Sequence, residues 1–124
     1  MPFSLTLLIL PLCLHKRTRE LLKDANRSYL TNILQDHPEI RVDLAQRACG
    51  LFPYNMEAFA YLMACGTIAV DEHGGIAVQK GQIRKSIAGS QDTKDCQVVA
   101  RALGIKLARI NDRATIYTTL GIRP

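Results

Sequence analysis

The stretch Ala48-Cys49-Gly50-Leu51-Phe52-Pro53-Tyr54-Asn55-Met56-Glu57-Ala58-Phe59 decides how the middle of this chain folds. Apolar residues recur at helical spacing on both sides of Pro53. Upstream, Val42, Ala45, Cys49 and Phe52 share one face of a helix, with Asp43 near its positive N-terminal end. Proline lacks the amide proton that an interior helical position donates, so the sequence predicts that this helix stops at Pro53. Downstream, Asn55–Cys65 reads as a second helix with Met56, Phe59, Leu62 and Met63 turned inward, ended by Gly66. The period then changes. Ile68 and Val70, then Ile76 and Val78, alternate around Asp71-Glu72-His73-Gly74-Gly75, the pattern of a short β-hairpin with turn glycines. Two helices across a tight turn, followed at once by a hairpin, are the ingredients of a winged helix-turn-helix. The expected fold is mainly α, a winged-helix-like helical domain with one small β-hairpin.

Working outward, the first residues form an apolar run from Phe3 to Leu14 that ends at His15-Lys16-Arg17-Thr18-Arg19. A secretory signal places its positive charge before the apolar region and a small-residue cleavage site after it, which is the opposite order. The run is also shorter than the roughly 20 apolar residues that span a bilayer. It reads as a buried helix, kinked or ended near Pro11, that continues helically over Thr18–Lys23. Asn26 or Ser28 is placed to cap a helix through Leu30, Ile33 and Leu34, which His37-Pro38 ends. Residues 79–91 are polar and contain glycine and serine, as a mobile loop does.

Beyond that loop, Asp92 or Thr93 is expected to cap the clearest helix of the chain. Its stripe is Cys96, Val99, Ala100, Leu103, Leu107 and Ile110, with Lys94, Arg101 and Arg109 on the opposite side beside Val98 and Ile105. A final helix, Asp112–Leu120, is capped by Asn111 or Asp112 and ended by Gly121. The domain organisation expected is one helical domain over residues 1–124, with a winged-helix-like core over about 28–79 and a C-terminal helical segment over 92–124.

At 124 residues and 48% hydrophobic, the chain supports one domain with a real core. The net charge of +5 is unevenly spread: residues 1–27 carry +3, residues 28–79 carry −4 and residues 80–124 carry +6. Both ends are basic around an acidic middle. Candidate contacts to a partner protein or to nucleic acid are therefore Lys16, Arg17, Arg19, Lys94, Arg101, Arg109 and Arg123. The plain alternative for each is a solvated face. Cys13, Cys49, Cys65 and Cys96 lie far apart with no C-x-x-C pair, unlike zinc ligands, and are expected as free buried thiols in reducing cytosol.

The chain holds no P-loop, H-E-x-x-H, G-x-S-x-G or dinucleotide fingerprint, and His15, His37 and His73 have no visible partners. No catalytic residue, cofactor or metal site is expected. A winged-helix transcriptional regulator is the rival reading. Against it, the would-be recognition helix Asn55–Cys65 carries Glu57 and no basic residue, and the would-be wing carries Asp71 and Glu72, which phosphates repel.

The strings Pro2-Phe3-Ser4-Leu5 and Leu10-Pro11-Leu12, leading into Leu14-His15-Lys16-Arg17-Thr18-Arg19, carry a family resemblance. So do Arg47-Ala48, Phe52-Pro53-Tyr54, Glu57-Ala58, the hairpin Ile68 to Val78, and the closing Ala114-Thr115-Ile116-Tyr117 with Leu120-Gly121-Ile122-Arg123-Pro124. Over nearly its whole length the chain resembles the middle component of bacterial three-component ABC systems, of which Lamassu-type anti-phage systems are a related group. The resemblance implies a cytoplasmic, non-catalytic accessory subunit that links an SMC-like ABC ATPase to an effector protein. DNA would be met weakly or only through the complex, and no membrane would be involved. Members of this family carry an additional helical segment before the position of Met1, and without it the apolar face of Phe3–Leu14 would be open to a partner.

Overall fold

The computed structural model describes residues 1–84 and 86–123. Lys85, inside the expected loop, and Pro124, the last residue of the closing string, lie outside the described residues. The fold is mainly helical with a single two-stranded antiparallel hairpin, as the sequence leads one to expect.

The apolar opening does not form one helix kinked at its proline. It forms two short ones, α1 (Phe3–Thr6) and α2 (Ile9–Cys13), that break between them at Leu7 and Leu8. Pro11 lies in the first turn of α2, where an amide proton has no intrahelical acceptor to lose, so it costs the helix little. The break lets Leu5, Leu8 and Leu12 all turn inward, each 1% exposed or less. Next, α3 (Lys16–Asp24) begins at His15, whose Nδ1 accepts from the Thr18 amide. The expected caps Asn26 and Ser28 are not used. Instead α4 (Leu30–Asp36) starts after Tyr29, with no side chain capping it, and His37 ends it ahead of a single 3-10 turn over Pro38–Arg41.

The largest departure is at Pro53. Helix α5 (Leu44–Ala64) runs unbroken for 21 residues straight through it, so the tight turn expected between two helices is not formed. Pro53 is exposed, so its ring has room on the solvent side, and what the helix forgoes is the one bond to the Cys49 carbonyl. Gly66 does end the helix as expected. At φ +66° it lets its own amide reach the Met63 carbonyl at 3.0 Å while Thr67 reaches Leu62 at 2.9 Å, the paired bonds of a Schellman stop.

The hairpin follows directly, β1 (Ile68–Val70) on β2 (Ile76–Val78), paired Ile68 to Val78 and Val70 to Ile76. Asp71 organises its turn, accepting from the His73 amide at 2.9 Å and the Gly75 amide at 2.7 Å. Met1 and Pro2 pair along its edge. Of the winged-helix pattern, a helix leading straight into a hairpin is present.

The segments 79–84 and 86–90 are exposed throughout and hold no helix or strand. Helix α6 (Gln91–Ile110) starts earlier than expected, with Ser90 rather than Asp92 or Thr93 as its cap. Helix α7 (Arg113–Leu120) is capped by Asp112, which accepts from the Ala114 and Thr115 amides, and Gly121 ends it at φ +70°. One apolar cluster joins these pieces. Leu5, Leu12, Leu34, Leu44, Leu103, Leu107, Ile116 and Leu120 belong to it, so both ends of the chain meet in the same core. Within it α2 packs against α5 and also against α6, α3 lies on α6, and α7 closes against α1 and α4.

Candidate functional site

The stripe expected on α6 is the one that packs: Val99, Leu103 and Leu107 are 1% exposed or less. Burying that side aims Arg101, Ile105 and Arg109 outward, onto a surface shared with the turn between α3 and α4. The turn is held there by Lys106, which donates to the Asn26 carbonyl at 2.8 Å and to that of Ser28. Burial and the neighbouring Arg109 lower the pKa of this ammonium.

Between turn and helix lies an open groove of about 840 Å³. Arg27, Arg101, Lys106 and Arg109 line it, over an apolar floor that includes Val98 and Ile105, and no carboxylate is among its lining residues. None of these four cations forms an ion pair among the described residues. The groove thus combines four basic side chains with a partly apolar lining, and like charges gathered this way give it a positive potential.

The other expected contacts do not gather there. Arg19 is buried within the chain rather than presented at the surface. At 4% exposure its guanidinium donates to the carbonyls of Cys13 and Leu14, each at 3.1 Å, and to Asp92 at 2.7 Å. It satisfies the two carbonyls at the end of α2 and ties α3 to the start of α6, which is a structural task. Lys16 and Arg17 are exposed at the start of α3, in a shallow patch that also contains Glu20 and Asp24, so their charge is locally offset. Lys94 and Arg123 are exposed outside the groove.

Two groove residues, Arg27 and Lys106, escape a reading of the sequence. They are far apart along the chain, and only the packing of α3 on α6 brings them together. The signal that was available is the heavy basic excess in the last third of the chain, which names the charge but not its neighbours.

The cysteines divide. All four are free, and Cys13 is buried and Cys96 half-buried, but Cys49 and Cys65 are exposed, against expectation. Burial, and then the nearby Cys96, pushes the Cys13 thiol up to about 11, so it stays protonated and inert at neutral pH. Among the described residues no three His, Cys, Asp or Glu side chains gather where a metal could be held. Likewise no described helix is long and apolar enough to cross a membrane.

The chain is thus a mainly helical domain with a basic, carboxylate-free groove beside α6. The chain belongs to the family of ABC-three component (ABC-3C) system Middle Component 3, whose family model matches residues 1–124. Comparison with curated proteins and with solved structures returned no match.

Proposed function

We propose that this chain is a non-catalytic accessory subunit that links the ABC ATPase of its system to an effector protein, in a cytoplasmic anti-phage defence of the Lamassu type. Membership of a middle-component family supports a role among partners. The observation that carries the reading is the carboxylate-free groove of Arg27, Arg101, Lys106 and Arg109. Its basic lining favours an acidic amphipathic segment of a neighbouring subunit, because the exposed Arg27, Arg101 and Arg109, which form no ion pair among the described residues, would steer such a segment in and set its register. A regulator reading sequence through α5 has little to work with. Asn55 is 4% exposed, and Arg47 is turned inward to the carbonyls of Pro11, Ile40 and Val42 at 3.0–3.2 Å.

Co-expression with the ABC ATPase of its three-component system, followed by size exclusion, tests the proposal. The two should co-elute at low salt and separate as salt rises. The double variant Arg101→Glu/Arg109→Glu should lower the association rate and flatten that salt dependence. Elution of the chain alone at low salt, beside an intact ATPase, ends the adaptor reading. So does nucleotide or nucleic-acid turnover by the purified chain that disappears on mutating His15, His37 or His73.

A further inference from the structure

Helix α5 carries two seams side by side. The first, Leu44, Ala48, Leu51, Asn55 and Leu62, faces the body of the protein, with Leu44 fully buried and Asn55 nearly so. The second is displaced by one residue: Ala45, Cys49, Phe52, Met56, Phe59 and Met63, at steps of four, three, four, three and four. That alternation is an unbroken heptad pattern over the length of the helix. Yet the seam is open. Phe52 is 47% exposed, Met56 42% and Met63 50%, Ala45 and Cys49 are exposed as well, and only Phe59 is partly covered, edge-on to the Phe3 ring at 4.9 Å.

We infer that the second seam is the contact between two copies of this chain, paired through antiparallel α5 helices about a two-fold axis. Three features point to a second copy as the occupant. The seam is complementary to itself when reversed. Antiparallel pairing sets Ala45 opposite Met63, Cys49 opposite Phe59 and Phe52 opposite Met56, so a small residue meets a large one in each outer pair, and a parallel pairing would stack like on like. Of the flanking positions that select a partner by charge in coiled coils, the exposed ones, Gln46, Pro53 and Ala60, carry no charge, and those on the other side belong to the first seam and face the body. Nothing there repels an identical helix, and nothing chooses a different one. Finally, the seam from Ala45 to Met63 runs about 27 Å along the helix, and a symmetric pair closed over it buries on the order of 1,000 Å², the lower bound for a specific interface. This inference stands apart from the groove on α6, and a dimer would present two such grooves.

Sedimentation of the full chain tests it. At about 100 µM the mass should be twice 13.8 kDa, falling toward one copy on dilution and holding or strengthening with added salt, as an uncharged contact does. Phe52→Glu/Met56→Glu should weaken the pair at least about 100-fold with helical content unchanged, because both charges would be buried without partners. Tyr61→Glu, at a 69% exposed position facing away from both seams, should leave it intact. Should the charged variant not fold, Phe52→Cys/Met56→Cys in a Cys49→Ala/Cys65→Ser background reports instead: mild oxidation should link two copies, whereas that background without the new cysteines should not be linked. A monomer at every concentration overturns the inference, as does a dimer indifferent to the glutamates. A monomer that uses this seam to hold another subunit overturns it too, assigning the face to a heterotypic helix.

Discussion

Helices α5 and α6 are almost equal in length, 21 and 20 residues, and both pack on α2, yet they are opposite kinds of helix. In α6 one stripe is apolar, and it is the stripe that packs, with charge on the far side. Ser90 caps its start and Asn111, left-handed at φ +46°, its end. In α5 apolar residues extend round most of the circumference, Arg47 and Glu57 are its only charged side chains, and large apolar groups still face solvent. An amphipathic helix states where its core is. A helix apolar on several sides states only that it wants neighbours, and this domain supplies a neighbour for one side.

The sharpest contrast is in what a truncation costs. Leu103, buried on α6, has no room to collapse, so Leu103→Ala should destabilise by about 2–5 kcal/mol. Phe52→Ala removes a larger side chain from α5, but nearly half of it is already in water. Measured by denaturant unfolding at a concentration where the chain is monomeric, its cost should stay below about 1 kcal/mol. Equal costs would mean that Phe52 is covered within the single chain, and the difference between the helices would disappear.

Pro53 offers the next test. In a continuous α5 it withholds a bond from the Cys49 carbonyl at an exposed position, so Pro53→Ala should stabilise the protein by roughly 1–3 kcal/mol. If the chain instead turned at Pro53, as the sequence suggests, alanine would loosen that turn and stability would fall. Thermal unfolding of the one variant distinguishes the two outcomes by sign.

That ambiguity shows what could be read in advance. The stripe Cys96, Val99, Leu103, Leu107 was legible because α6 has a single apolar side. The hairpin around Gly74 and Gly75, the stop at Gly66 and the cap at Asp112 were legible because they are local, needing only a left-handed φ or a carboxylate within two or three residues of an open amide. On α5 the face shared by Val42, Ala45, Cys49 and Phe52 lies about a quarter turn from the buried one, since Leu44 is the buried member and Val42 is 62% exposed. Periodicity identifies a seam, and with two adjacent seams it cannot say which meets the core. The inward assignment of Met56 and Met63 failed for the same reason, while Phe59 and Leu62 are half-buried. Arg19 was misread as surface because its acceptors, the Cys13 and Leu14 carbonyls, are presented only once α2 ends where it does.

A smaller effect concerns how the two helices begin. Ser90 accepts from the Thr93 amide, so Ser90→Ala should cost about 1 kcal/mol in thermal or denaturant unfolding. Asp43, at the start of α5, sits at φ +55° and caps nothing with its side chain. Asp43→Gly should therefore be neutral or slightly stabilising, since glycine adopts that φ without strain. A loss at Asp43 comparable to that at Ser90 would show that both helices are anchored alike.

The smallest expected effect is a dependence on pH at the junction of the two packing partners. His15 caps α3 by accepting through Nδ1 from the Thr18 amide, which requires that nitrogen to be unprotonated. Burial, then Arg47 and Arg17, lower its pKa below the ordinary 6.5. A histidine with a depressed pKa binds protons more readily in the unfolded chain. Its contribution is therefore complete above about pH 6.5 and is lost as pH falls through the lower folded value. The wild-type chain should lose a small increment of stability as pH falls below about 6.5 that His15→Asn, which caps without titrating, does not lose. Because Arg47 extends from the first turn of α5, replacing it with methionine should raise the His15 pKa and shift that loss to higher pH. NMR titration of the His15 ring reads the shift directly, and an unchanged midpoint in Arg47→Met would show that α5 does not act on the α3 cap.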